Sequence, residues 1–114
     1  MVFITIVPAE PFAQHAMDAQ YSPGWLQIDT GLSRMELFRG APDMMVASAQ
    51  QLFQQLVRMS ERKSGREQWQ ALGGNQNYWL IKEKGRLYLD DGESQLVFSF
   101  TAFRDALQQA LLLL

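Results

Sequence analysis

The sequence predicts an α+β fold, with a single mostly antiparallel sheet of about five or six strands and two amphipathic helices packed on one face. Two observations indicate this class. Short stretches of alternating apolar and polar residues are separated by glycine-containing turns, as in antiparallel strands. Two longer stretches repeat apolar residues at spacings of three and four, the period of an amphipathic helix. Each helical stretch follows a predicted hairpin, so the order hairpin-then-helix occurs twice, through either duplication or convergence.

The composition is that of one globular domain. With 114 residues, of which 47% are hydrophobic and 19% charged, the chain is long enough to bury one core and lies far from disordered compositions. We therefore expect residues 1–114 to form a single domain. The chain has no cysteine, which excludes disulfides, thiolate metal sites and cysteine nucleophiles.

The first half of the chain predicts a strand, a hairpin and a helix. Residues 2–7 form a continuous apolar run, which favours an interior strand. Residues 25–28 and 35–38 alternate on either side of a turn at Thr30 and Gly31, which predicts the hairpin. Asp43 is expected to cap the following helix. The apolar stripe of that helix consists of Met45, Ala49, Leu52, Phe53, Leu56 and Val57.

The second half predicts a loop, a three-stranded meander and a second helix. Gly65 is expected to end the first helix, and residues 64–77 form the main loop, with room for a short strand. Residues 78–82, 86–89 and 96–100 are then predicted to be consecutive strands. Thr101 is expected to cap the last helix. Its apolar stripe consists of Phe103, Ala106, Leu107, Ala110, Leu111 and Leu114.

The sequence contains no recognisable catalytic or cofactor motif. His15 is the only histidine and lies in a proline-punctuated connection that is predicted to contain one helical turn near residues 12–17. A single histidine in such a connection argues against a serine–histidine–carboxylate triad and against a metal site built from histidines. The acidic stretch 90–93 lacks the ligand spacing of an EF-hand loop and is explained more simply as a turn. No glycine pattern is typical of a phosphate-binding loop, so we expect no cofactor and no metal.

From these residues we expect neither an export signal nor a membrane anchor. The N-terminal apolar run has no basic flank and stops at Pro8. The uncharged stretch 106–114 is much shorter than the roughly 20 residues that cross a bilayer. The cytoplasm is therefore the expected location, with no membrane partner.

Two interaction classes follow from the residues alone. Residues 58–88 interleave cations with aromatic side chains, which is the strongest indication of a nucleic-acid-binding module. The sequence pI of 5.3 and the absence of an RNA-binding consensus argue against nucleic acid. Leu112 and Leu113 widen the last apolar stripe, which indicates either a frayed or deeply buried terminus or a self-association surface. The second alternative corresponds to a small adaptor or structural protein that dimerises through residues 111–114 of the C-terminal helix.

The sequence from residue 78 onward resembles the C-terminal part of small bacterial immunity proteins from polymorphic-toxin and contact-dependent inhibition systems. The resemblance covers roughly the last third of the chain. It rests on an acidic-glycine turn followed by a strand and a helix, matched here by Phe98, Ser99, Phe100, Phe103, Ala106 and Leu107. It implies a non-enzymatic cytoplasmic protein that binds and neutralises a cognate toxin domain.

No interface residue follows from the resemblance, so candidate partner-binding residues are taken from general interface composition. Aromatic residues are enriched at the centres of protein interfaces, and charged residues at their rims. The expected anchors are Trp69, Tyr78, Trp79 and Tyr88, and the expected charges are Arg86, Asp90, Asp91 and Glu93. The alternative for Trp79 and Tyr88 is that they pack beneath a helix.

Overall fold

The chain forms two four-stranded antiparallel sheets, each followed by an α-helix. The computed structural model describes residues 1–9, 23–40, 42–74 and 76–114. The helical turn predicted near residues 12–17, and His15 with it, lie outside the described residues. In chain order the elements are β1 (Phe3–Pro8), β2 (Pro23–Asp29), β3 (Arg34–Leu37), β4 (Asp43–Met44), α1 (Met45–Ser60), β5 (Gly65–Gln70), β6 (Asn77–Glu83), β7 (Arg86–Asp90), β8 (Gln95–Ser99) and α2 (Phe100–Leu112). The α+β class is confirmed, but the predicted single sheet is two sheets.

The first sheet is organised around β2. One edge of β2 pairs with β1, which places Pro8 opposite Gly24. Gly24 also pairs with Asp43 of β4, so β4 must lie on the opposite edge of β2, in line with β3. β3 and β4 are therefore one strand path interrupted by residues 38–42. The interior position predicted for the first strand is wrong, because β1 pairs only with β2 among the described strands.

The interruption after β3 carries Phe38 from the first sheet into contact with the second. Its φ of 72° lies in the left-handed region, which costs a non-glycine residue roughly 1–3 kcal/mol. The side chain is buried and packs edge-on against the rings of Trp69 and Tyr78, with centroids 5.4 and 5.6 Å away. Burial of an aromatic ring of this size offsets the backbone strain.

The second sheet is a meander in the order β5-β6-β7-β8. The last three strands confirm the predicted meander. The predicted loop 64–77 differs, because its first part is the full strand β5, paired along its length with β6. Lys84 and Gly85 connect β6 to β7 with φ values of 51° and 75°, the two positive angles that a type I′ hairpin turn requires.

Both helices begin directly after a strand, and their caps differ from the predicted ones. α1 begins at Met45 and has no side-chain cap, so the prediction for Asp43 is wrong. α2 is capped by Ser99, whose hydroxyl accepts a hydrogen bond from the backbone of Ala102 at 3.3 Å, rather than by Thr101. Gly65 does not end α1, since the helix stops at Ser60 and Gly65 is the first residue of β5.

The helices join the two sheets into one core. α1 packs against β2 of the first sheet and β5 of the second, while α2 packs against β1 of the first and against β7 and β8 of the second. The buried residues of both sheets and both helices form one hydrophobic cluster. Three residues differ from the predicted apolar stripes of the helices. Val57 and Leu114 were predicted to face the core but are exposed, and Met59 was outside the predicted stripe but is buried.

Candidate functional site

The side of the second sheet that faces away from both helices is the candidate functional site, and we call it the open face. Alternate residues of a strand point to opposite sides of a sheet. Side chains on one side are buried against the helices; they include Tyr78, Leu80, Leu87, Leu89 and Phe98. The register places the other set on the open face, which consists of Arg66, Gln68, Gln70, Asn77, Trp79, Ile81, Glu83, Arg86, Tyr88, Asp90, Gln95, Val97 and Ser99.

The centre of the open face is apolar and aromatic. Ile81 pairs with Tyr88 across β6 and β7, and Tyr88 pairs with Val97 across β7 and β8. Trp79 lies one row away on β6. Trp79 and Val97 are 37% and 55% exposed, which is unusual for large apolar side chains in the middle of strands. A contiguous apolar patch with a polar surround is the signature of an interaction surface.

Cations and carboxylates surround this centre. The guanidinium of Arg66 lies 4.2 Å from the centroid of the Trp79 ring, a cation–π contact between neighbouring strands of the open face. Arg86 makes no ion pair or side-chain hydrogen bond with any of the described residues. Asp90 accepts hydrogen bonds from the backbone of Gly92 at 2.8 Å and from the amide of Gln95 at 3.3 Å.

A tight acidic turn ends the open face between β7 and β8. The carboxylate of Asp91 accepts hydrogen bonds from the backbone N–H groups of Ser94 and Glu93 at 2.7 and 2.8 Å. These bonds, that of Ser94 first, lower the pKa of the Asp91 carboxyl below its usual value, because they favour its charged form. The turn therefore presents a fixed negative charge, and Glu93 lies exposed beside it.

The structure divides the eight predicted partner-binding residues into two groups. Trp79, Arg86, Tyr88 and Asp90 lie together on the open face, and Asp91 and Glu93 lie in the turn at its end. For Trp79 and Tyr88, the alternative of packing beneath a helix does not hold, because they face away from both helices. Trp69 and Tyr78 instead point into the core, 1% and 5% exposed, and cannot contact a partner in this conformation.

Trp69 and Tyr78 are structural residues. The indole N–H of Trp69 donates to the backbone carbonyl of Ser48 in α1 at 3.0 Å, and its ring stacks with that of Tyr78 at 5.8 Å. The Tyr78 hydroxyl accepts a hydrogen bond from Gln76. Burial, with a smaller effect of the Asp91 charge, raises the pKa of Tyr78 to about 12. The burial of Trp69 could not be read from the sequence, because it is the only large apolar residue of β5. Tyr78 lies in a predicted strand, but that strand has apolar residues on both sides, so its alternation does not show which side faces the core.

Three cations of the basic segment 58–88 make contacts within the protein that join α1 to the second sheet. Arg58 and Arg62 lie 3.3 and 3.9 Å from the carboxylate of Glu67. The ammonium of Lys82 donates to the backbone carbonyls of Met59 and Arg62 at 3.0 and 2.6 Å and so satisfies the end of α1. Arg58, Arg62 and Lys82 therefore help to hold α1 against the second sheet. The other four cations of the segment, Lys63, Arg66, Lys84 and Arg86, take no part in these contacts.

Two of the clefts that border the second sheet adjoin residues of the candidate site. One, of about 480 Å³, lies between α1 and β5 and is lined mainly by polar side chains: Gln51, Gln54, Gln55, Arg58, Gln68 and Gln70. The other, of about 400 Å³, lies between the sheets and includes Glu36, Phe38, Tyr78 and Asp91. Neither holds a histidine or an activated nucleophile among its described residues, and no three described acidic or histidine side chains converge to hold a metal ion.

Sequence reasoning missed Arg66, Ile81 and Val97 as members of the site. Val97 lies between Leu96 and Phe98 in an apolar run, so the sequence does not indicate which of the three faces outward. Only the register of β7 with β8, which places Val97 opposite Tyr88, assigns its side. The alternation of Trp79, Ile81 and Glu83 along β6 was the sequence feature that places Ile81 on the same side as Trp79.

Comparisons with known proteins identified no relative. No family model matches the chain, and no curated protein or solved structure matches it significantly. Neither helix of the described structure has the length and apolar character needed to span a bilayer.

Proposed function

We propose that the protein is a non-enzymatic inhibitor, an immunity protein that binds and neutralises a cognate bacterial toxin domain in the cytoplasm through its open face. The observation that carries the proposal is the exposed apolar row at the centre of this face, with Trp79 beside it. The resemblance in the last third of the chain supplies the class of partner.

The anatomy of the open face supports protein binding. Protein interfaces combine an apolar, aromatic centre with a polar rim, and a few aromatic and arginine side chains provide most of the binding energy. Trp79 and Tyr88 provide the aromatic surface, while Arg66, Arg86 and Asp90 provide the rim. A sheet is a rigid platform, so little conformational entropy is lost when a partner binds.

The first test is rescue in cells. A toxic C-terminal domain encoded beside this gene should be neutralised when the two proteins are co-expressed, and the two should co-elute on gel filtration. Failure of rescue together with the absence of a complex would count against an immunity function for this protein.

The second test assigns the surface and has a matched control. Trp79→Ala should weaken toxin binding by roughly 30-fold or more, the loss of about 2 kcal/mol expected for a central aromatic anchor. Trp25→Ala is the control, because Trp25 is also a β-strand tryptophan with an arginine over its ring, Arg39 at 5.6 Å, but lies on the first sheet. Equal losses for both variants, or full binding by Trp79→Ala, would assign the toxin to another surface.

A further inference from the structure

Apart from the pair Gln70 and Asn77, the residues of the open face are arranged in three rows that run across the strands. The first row contains Gln68, Trp79, Asp90 and Gln95; the middle row contains Arg66, Ile81, Tyr88 and Val97; the third contains Glu83, Arg86 and Ser99. The middle row is the most apolar, and the charges of the two outer rows differ.

The two ends of the open face carry opposite charge. At the β7–β8 turn, the acidic end consists of Asp90, Asp91 and Glu93. At the β6–β7 turn, the basic end consists of Lys84 and Arg86, with Lys63 in the same surface depression as Lys84. Glu83 and Glu61 lie beside these three cations and leave the end with a net positive charge. Hydrogen bonds to the backbone keep Asp91 charged, so this polarity persists at neutral pH.

Such a surface is complementary to a second copy of itself. A twofold axis lying along the middle row would turn one copy over onto the other, place its acidic end on the basic end of its mate, and stack the two middle rows. An axis parallel to the strands would instead bring like charges together at both ends. Two sheets can pack face to face with their strands nearly aligned, as in β-sandwiches.

We propose that the open face is a homodimer interface in which a second copy of this chain docks face to face, with Tyr88 and Val97 at the centre and the acidic end of each copy against the basic end of the other. This inference does not rest on the immunity function. If both hold, the toxin and the second copy compete for one surface, and the dimer covers the apolar row until the toxin arrives.

The size of the face sets the strength of the dimer. Four strands about 4.8 Å apart and rows spaced at about 6.6 Å give a platform of roughly 20 Å by 20 Å. Such an area lies at the low end for specific interfaces, so the dimer is weak and depends on concentration and salt.

A charge-exchange experiment on the protein alone tests the proposal by sedimentation velocity at low salt. We expect the unmodified protein to show a concentration-dependent dimer. K84E/R86E makes the basic end acidic, and E93K/Q95K removes the net charge of the acidic end; each should weaken self-association at least about tenfold. Their equimolar mixture restores one attractive contact, so it should dimerise more strongly than either variant by itself.

Two controls separate this arrangement from other contacts. Leu32→Ser, at a 99% exposed position in the β2–β3 loop, should leave the dimer unchanged. Leu112→Ser/Leu114→Ser tests the C-terminal leucines, and loss of the dimer in this variant with no effect of the charge variants would overturn the proposal. A protein that stays monomeric at millimolar concentration would also overturn it. Because no toxin is present, neither result bears on the immunity function.

Discussion

The carboxylate of Asp43 accepts a hydrogen bond from the backbone N–H of Gly73 at 2.7 Å, which fastens the start of α1 to the loop between β5 and β6. The other carboxylate oxygen of Asp43 is buried without a partner among the described residues. Ser48 reinforces this connection by accepting two hydrogen bonds. The indole N–H of Trp69 donates to its backbone carbonyl, and the backbone N–H of Leu72 donates to its hydroxyl at 3.1 Å. The N-terminal half of α1 thus positions the β5–β6 loop.

Gly73→Ala should destabilise the protein by about 1–3 kcal/mol. A Cβ at this position would lie 2.6 Å from the Asp43 carboxylate, so the loop must move and the hydrogen bond is lost. Gly40→Ala is the control, because nothing lies within 4 Å of the Cβ it would add and its φ is not positive. Urea unfolding measures both, and similar stability for the two variants would contradict this role of Gly73.

Phe38→Ala should destabilise the protein by about 3–5 kcal/mol, the cost of removing a buried aromatic side chain. The variant loses both ring contacts to the second sheet and keeps the left-handed backbone. Phe38→Gly should be more stable than Phe38→Ala, since glycine adopts this φ without strain. Thermal unfolding distinguishes them, and the reverse order would show that the strain is relieved in another way.

Ser99→Ala should cost about 1 kcal/mol, because it removes the side chain that caps α2. Thr101→Ala should change the free energy of unfolding by less than about 0.5 kcal/mol, since Thr101 is an exposed residue within the helix. Chemical denaturation of the two variants measures both values. A larger loss for Thr101→Ala would restore the sequence-based assignment of the cap.

Tyr78 should make the protein less stable at high pH. Its pKa is 10.0 in the unfolded chain and about 12 in the folded one. Below pH 10 the tyrosine is protonated in both states, so its titration does not change the free energy of unfolding. Between pH 10 and 12 the unfolded chain loses the proton and the folded chain keeps it. The free energy of unfolding therefore falls by about 2–3 kcal/mol across this range. Unfolding free energies across this range measure the effect. Tyr78→Phe should show a smaller decline, and an equal decline would exclude Tyr78 as its source.

Turn residues and alternating segments in the sequence were sufficient to predict most of the second sheet. The Lys84-Gly85 and Asp91-Gly92 turns lie between clearly alternating segments, so the meander followed from the sequence. β5 was predicted only as a loop with room for a short strand, because the segment GREQWQ is polar except for Trp69 and its partner β6 supplies the pairing. The division into two sheets depends on long-range packing of the helices, which local periodicity does not contain.

The candidate site was predictable only in part, because the pairing of the strands decides on which side of the sheet each residue lies. Trp79, Arg86, Tyr88 and Asp90 share a face because β6 and β7 form a tight hairpin whose register is set by its turn. Trp69 and Tyr78 are aromatic residues of the same segment but have the opposite phase, and this places them in the core. Composition identified the right segment, and the register decided which residues face outward.

The packing of α2 on β1 has a consequence for the order in which the protein folds. β1 emerges from the ribosome before the other described elements, yet α2, Phe100–Leu112, which packs against it, is made more than ninety residues later. Until then the first sheet lacks part of its core. The first sheet therefore depends on a segment that is made much later, and a transcript truncated before α2 should yield a product that chaperones and proteases recognise as unfolded.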